Sequence, residues 1–132
     1  MNYDAEIPQI KRLLADVEDF CAQNSLTKDV EFALNLLLEE IFTNICLHGY
    51  NGKGGKVDVE MSKTGGLVKI EISDEAPEFN PLSQAPAPNL NSKIEDREIG
   101  GLGVHFIKNF ADGASYKRVS NKNVLTILKN IA

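Results

Sequence analysis

Glu40 and Asn44 stand four residues apart in EEIFTN (residues 39–44), which places a carboxylate and a carboxamide on one side of a helix. The carboxylate can accept a proton from an attacking hydroxyl or position a water, and the carboxamide oxygen is a hard ligand that suits Mg²⁺. Asp74 ends the alternating run VKIEISD and opens DEAPEFNP (residues 74–81). An acid there is either an Asx-turn residue or a buried acceptor for an exocyclic amine, which would select adenine over guanine. Gly100, Gly101 and Gly103 sit in GGLGVHFIK (residues 100–108), where a loop is expected to turn into a helix. Glycines there let backbone N–H groups approach an anion, and the helix N-terminus favours negative charge. Arg97, just upstream, can meet phosphate oxygens. Each motif has a plainer reading: a solvated helix face, a turn, tight loop packing. In this order, all three point to ATP.

Other nucleotide motifs fit less well. The Lys-Ser/Thr of a P-loop does not follow the last glycine, and no βαβ unit opens at the glycines as a dinucleotide fingerprint requires. His48 lies one turn beyond Asn44, but imidazole is a poor partner for Mg²⁺, so it is expected as a hydrogen-bonded wall of the pocket.

The elements that must carry these residues are legible in the apolar spacing. Ile10, Leu13, Leu14, Val17 and Phe20 give a helix within residues 7–24, with Pro8 in its first turn. Thr27 is the expected N-cap of a second helix, with Asp29 and Glu31 at its positive end. That helix carries Val30, Leu34, Leu37, Ile41 and Ile45 on one stripe and should run to about His48. After a glycine-rich loop, Val57, Val59 and Met61 alternate with polar residues, as do Val68, Ile70 and Ile72, giving a hairpin over Thr64, Gly65 and Gly66.

From residue 75 to about 98 periodicity disappears, and four of the five prolines fall there. So long an irregular stretch is expected as a lid or a linker. A third helix is expected from about 101 to 111, then a second hairpin of residues 114–119 and 124–131 over residues 120–123. The sum is a single α/β (α+β) domain over residues 1–132, a two-layer sandwich with about three helices on one face of a mixed, largely antiparallel sheet of about four strands.

Composition sets the bounds. The 132 residues are 42% hydrophobic and 25% charged, ordinary for a globular domain with a real core. The net charge of −5 provides no basic field, which argues against nucleic-acid or membrane-surface partners. Cys21 and Cys46 lie in apolar helical contexts and are expected as free buried thiols, with no zinc pattern. No signal-type start and no apolar run near 18 residues is present, so a cytoplasmic location is expected.

With these residues in view, the chain resembles the GHKL ATPase superfamily of gyrase, heat-shock chaperone, histidine kinase and mismatch-repair ATPases, whose domain is the Bergerat, or histidine kinase-like ATPase, fold. Within it the similarity is greatest to the small anti-sigma factor serine/threonine kinases of bacterial partner switching. EEIFTNICLHGY is similar to that family's N box, DEAPEFNP to its first glycine box, REIGGLGVHFIK to its lid and second glycine box, and NVLTILK to its closing strand. The resemblance implies that Glu40 is the catalytic base and that Asn44 holds Mg²⁺. It implies that Asp74 binds the adenine amino group beside Ala76 and with help from Thr126. Arg97, Gly100, Gly101, Leu102, Gly103 and Val104 would lie over the phosphates. It further implies a serine or threonine of an anti-sigma-factor antagonist as substrate, a sigma factor as competing partner, and a homodimer.

Two features depart from that pattern. Ala76 stands where the superfamily commonly has glycine, and only MNYDAE precedes the first helix, so the usual leading strand must be very short or lie outside this chain. The alternative to a kinase is a nucleotide-responsive binding module that grips partners without phosphorylating them. A histidine kinase and a gyrase-like motor are not expected, because the chain shows neither an upstream dimerisation helix pair nor a transducer domain.

Overall fold

Residues 1–79 and 109–131 are described by the structure, a computed structural model. The chain begins with a short strand, β1 (Asn2–Asp4), then a 3₁₀ turn at Ile7–Gln9 leads into α1 (Ile10–Gln23). Pro8 sits in that 3₁₀ turn, so the first helix starts three residues later than its apolar spacing suggests. Then come α2 (Lys28–Asn44), β2 (Lys56–Thr64), β3 (Leu67–Asp74), β4 (Gly113–Val119) and β5 (Lys122–Asn130). Thr27 caps α2 as expected, its hydroxyl oxygen accepting from the Val30 N–H at 3.3 Å.

The five strands lie in the order β1-β2-β3-β5-β4, and every pairing is antiparallel, so the sheet is not mixed among the described residues. The short leading strand is present as β1 and pairs along the β2 edge. Two α-helices are described where three were expected. The third falls outside the described residues except at its end, where Asn109 and Phe110 are helical.

Strand alternation makes one face of the sheet apolar, and both helices close over it. Leu13 and Val17 from α1, Leu34, Leu37 and Leu38 from α2, and Val57, Val59, Val68, Ile70, Ile72, Leu125 and Ile127 from the sheet form one buried cluster. Burying each such side chain contributes about 1.5–3 kcal/mol, which makes this layer contact the main source of stability. Cys21 and Cys46 are buried within it as free thiols, and burial pushes the Cys46 thiol up to about 11. No helix among the described residues is long and apolar enough to cross a membrane.

One row of cross-strand partners runs over all five strands on the helix-facing side: Tyr3, Val57, Asp74, Asn123 and Arg118. It is apolar on β1 and β2 and turns polar from β3 outward. That change of character marks where a site can open at the end of the core.

Candidate functional site

Asp74 shares the face of Ile70 and Ile72 because β3 alternates strictly, yet it ends the strand, so it is buried without lying inside the core. Only 7% of it is exposed. Its Oδ1 accepts from the Ala76 N–H at 3.0 Å, closing an Asx turn, and from the Asn123 Nδ2 at 2.9 Å. No bond reaches its Oδ2 among the described residues. Burial raises the carboxyl above its ordinary pKa of 3.8, while the Asn123 and Ala76 hydrogen bonds and the Arg118 charge pull the other way.

Asn123 itself is 6% exposed and is the centre of a polar cluster. Its Nδ2 also reaches the carbonyls of Ala76 at 3.2 Å and Pro77 at 3.0 Å. Its Oδ1 accepts from Tyr116 Oη at 2.5 Å, Arg118 Nη1 at 3.1 Å and the Phe79 N–H at 3.1 Å. Arg118 Nη1 adds a bond to the Ala76 carbonyl at 2.7 Å. Side chains of β4 and β5 therefore hold the loop at Ala76, Pro77 and Phe79, where no regular structure does.

Spacing and resemblance both missed Asn123. Spacing sets it inside a four-residue turn and the resemblance at the head of the closing strand, with no role in either; the turn consists of Ser120 and Asn121 alone, both at positive φ (51° and 64°). A two-residue turn with both residues left-handed joins antiparallel strands tightly and leaves Asn123 within β5. The signal available in the sequence was the Ser-Asn pair itself. Thr126, the residue expected to assist Asp74, is not brought to it. It pairs with Glu71 and faces the opposite side of the sheet, three positions from Asn123.

Glu40 and Asn44 share one side of α2, and both are half-buried. The Asn44 Oδ1 is a buried acceptor with no hydrogen-bond partner among the described residues. A buried oxygen left unpaired costs about 1–3 kcal/mol, so a cation ligand is a physical reason for leaving it open. Asn35 Oδ1 is likewise without a partner, but it lies nine residues earlier, on the opposite side of α2 and away from Glu40. The donor set fits a magnesium ion carried by phosphates. Among the described residues no cluster of three or more His, Cys, Asp or Glu could hold a metal alone, and such a nucleotide-borne ion needs only one or two protein oxygens.

Immediately after Asn44 the helix widens into a π-turn over Ile45–Gly49, closed by the Tyr50 N–H to the Ile45 carbonyl at 2.9 Å. π-turns inside helices occur mostly at functional sites. This one carries Gly49 against the Asp74 loop, where a Cβ would stand 3.2 Å from that of Ala76. Tyr50 completes the junction. Its hydroxyl donates to the Lys56 carbonyl and accepts from the Glu75 N–H, both at 2.7 Å. The segment carrying Glu40 and Asn44 thus meets the Asp74 corner through Gly49, Ala76 and Tyr50. His48, expected as a hydrogen-bonded wall of the pocket, is exposed in the π-turn. Arg97, Gly100, Gly101, Leu102, Gly103 and Val104, and the expected lid with them, lie outside the described residues.

The arrangement supplies an ionisable acceptor beside a fixed loop, a hard oxygen ligand and a carboxylate one turn away. Comparison with known proteins shows the family of the chain. The profile of the histidine kinase-like ATPase domain family matches residues 3–129. The serine/threonine-protein kinase BtrW of Bordetella bronchiseptica is 26% identical over 117 residues, covering 88% of this chain and 82% of that protein. An anti-sigma F factor of a Geobacillus species is 30% identical over 114 residues, covering 86% of this chain and 77% of that protein. Among solved structures, the histidine kinase domain of the Erythrobacter litoralis blue-light activated histidine kinase superposes with a TM-score of 0.60 at 13% identity, over 95% of this chain and 60% of that one. The Acinetobacter baumannii histidine kinase AdeS gives 0.59 at 14% identity, over 99% and 68%. At these identities the structures speak for the fold alone.

Proposed function

On the premise that this chain belongs to the histidine kinase-like ATPase domain family, we propose that it is an ATP-dependent protein serine/threonine kinase acting as an anti-sigma factor. Its substrate would be a serine or threonine of an anti-sigma-factor antagonist, its competing partner a sigma factor, and its location cytoplasmic. The names of its relatives, a serine/threonine-protein kinase and several anti-sigma F factors, support the reading. The observation that carries it is the side of α2 where half-buried Glu40 stands one turn from the unpartnered Asn44 oxygen.

Each residue then has a defined task. Asp74 accepts from the adenine amino group through its open oxygen. Asn44 provides the protein oxygen for magnesium, which when bound neutralises phosphate charge. Glu40 orients the attacking hydroxyl and holds its proton, while most of the rate comes from positioning and charge stabilisation. Arg97 and the glycines from Gly100 to Gly103, with Leu102 and Val104, are proposed to cover the phosphates.

The test is phosphate transfer from labelled Mg-ATP to antagonist proteins of the same genome. Glu40→Gln keeps the shape of the side chain but cannot take a proton, so it should bind Mg-ATP as the parent does while transfer falls by about 10²- to 10⁴-fold. Asn44→Ala should instead lose the magnesium dependence of binding. A parent that grips an antagonist in a nucleotide-dependent way, yet transfers no phosphate, is a binding module, and Glu40 is then part of the pocket wall.

A further inference from the structure

We propose that Asn123, braced by Tyr116 and Arg118, is the positioning residue that decides which oxygen of Asp74 meets the nucleobase, making the site selective for purines that carry an amino group at position 6. The proposal rests on the nucleotide-binding reading above and adds to it the origin of base choice.

The orientation of the Asn123 amide is fixed by what surrounds it. Its oxygen meets three donors, the Tyr116 hydroxyl, the Arg118 guanidinium and the Phe79 N–H. Its nitrogen meets three acceptors, Asp74 Oδ1 and the carbonyls of Ala76 and Pro77. Turning the amide over would set donors against donors and acceptors against acceptors. The Nδ2 must therefore donate to Asp74, and together with the Ala76 N–H it occupies Oδ1. A carboxyl proton has no place on that oxygen. Only Oδ2 remains to accept from a base, and its position follows from the two bonds that hold its twin.

Arg118 contributes twice. Its Nη1 supports the Asn123 oxygen and also ties the Ala76 carbonyl, so one cation fixes both the amide and the loop that follows Asp74. Its charge also favours the ionised carboxylate, against the effect of burial. The other titratable groups around Asp74 are Tyr116 on β4, Tyr50 through the Glu75 N–H, and Glu75 itself with Lys122 at 4.0 Å. Lys56 and Asp58 line a small cavity with Asp74 at the strand ends. A protonated Oδ2 would present hydrogen to an amino group that is itself a donor. Binding of a 6-amino purine thus requires the carboxylate and must fade as pH falls through the Asp74 pKa. Without Arg118 that pKa rises further, and the acid limit of binding moves to higher pH.

The experiment titrates the full chain with ATP and with inosine triphosphate, which bears a carbonyl at position 6, from acid to neutral pH. The parent should prefer ATP. Asn123→Asp replaces the donor with a second acid and should cut that preference by about tenfold or more, the discrimination of one buried hydrogen bond. Tyr116→Phe removes one brace and should cut it by a smaller factor. Arg118→Gln retains a donor without the charge and should move the acid limit of ATP binding upward. If the preference is unchanged in Tyr116→Phe and the acid limit unchanged in Arg118→Gln, the proposal is overturned, whether or not Asn123→Asp folds. Equal weakening of both nucleotides by the variants also overturns it, because it would show structural support alone. A parent that binds neither nucleotide overturns the kinase reading and this proposal with it, whereas an ATP-selective parent with indifferent variants overturns only the proposal.

Discussion

Asp74 sets function against stability within a single carboxyl group. Its pKa is raised in the folded protein, so its contribution to stability is complete below the ordinary carboxylate value of 3.8 and is lost as pH rises through the folded value. At neutral pH the buried charge is a cost to the fold. Asp74→Asn keeps an acceptor for the Ala76 and Asn123 donors and removes that charge. It should therefore melt at a higher temperature than the parent at neutral pH, with the gain vanishing in acid, and should bind ATP more weakly. A variant that melts lower at neutral pH would show that Asn123, Ala76 and Arg118 overcompensate the burial. At this scale the sequence was legible in placement: helix and strand periodicity put Glu40 and Asn44 on one side of α2 and Asp74 at the end of β3. Asn123 was not legible, because Ser120, Asn121 and Asn123 together carry the composition of a turn. The help that the resemblance assigns to Thr126 does not follow from its register, which pairs it with Glu71 and sets Asn123 across from Asp74.

Among the elements, the junction between the π-turn and β2 leaves no room for a side chain at Gly55. A Cβ on Gly55 would fall 2.2–2.6 Å from the Tyr50 ring, and that ring is pinned through its hydroxyl to Lys56 on one side and Glu75 on the other. Gly55→Ala should accordingly destabilise the protein by about 1–3 kcal/mol in denaturant unfolding, as forced overpacking does. Paired with Tyr50→Ala, which clears the ring away, the same change should cost less, so the two effects should not add. An additive pair would separate Gly55 from Tyr50. Apolar spacing revealed α2, β2 and β3 because their stripes are long. It could not reveal the π-turn, whose residues Ile45 to Gly49 continue a helical pattern and differ only in backbone hydrogen bonding. Nor could it reveal β1, which at three residues is too short to show alternation.

Taken whole, the molecule places its candidate site at one end of the two layers, where the row from Tyr3 to Arg118 changes from apolar to polar. A ligand bound there would contact β3, the central strand, as well as the end of α2, so binding should be felt by the entire fold. ATP with magnesium at about 100 times its dissociation constant should stabilise the protein by about 2.7 kcal/mol, seen as a rise in melting temperature. GTP at the same concentration should raise it much less. Equal shifts from both nucleotides would remove Asp74 from base recognition. The two-layer architecture was legible at this scale, because a half-buried sheet and amphipathic helices leave few ways to close a core. The all-antiparallel order was not, since strand spacing does not encode which edges meet.

The Ser120–Asn121 turn acts as a ruler for a site it never touches. Its length fixes how β4 slides along β5, and thereby puts Arg118, not Lys117 or Val119, across from Asn123. One inserted residue would rotate the inward side chains of β4 to the outer face and withdraw both braces of Asn123. Chains of this architecture could diverge in nucleobase preference by changing the length of a remote hairpin, with every residue in contact with the base left as it is.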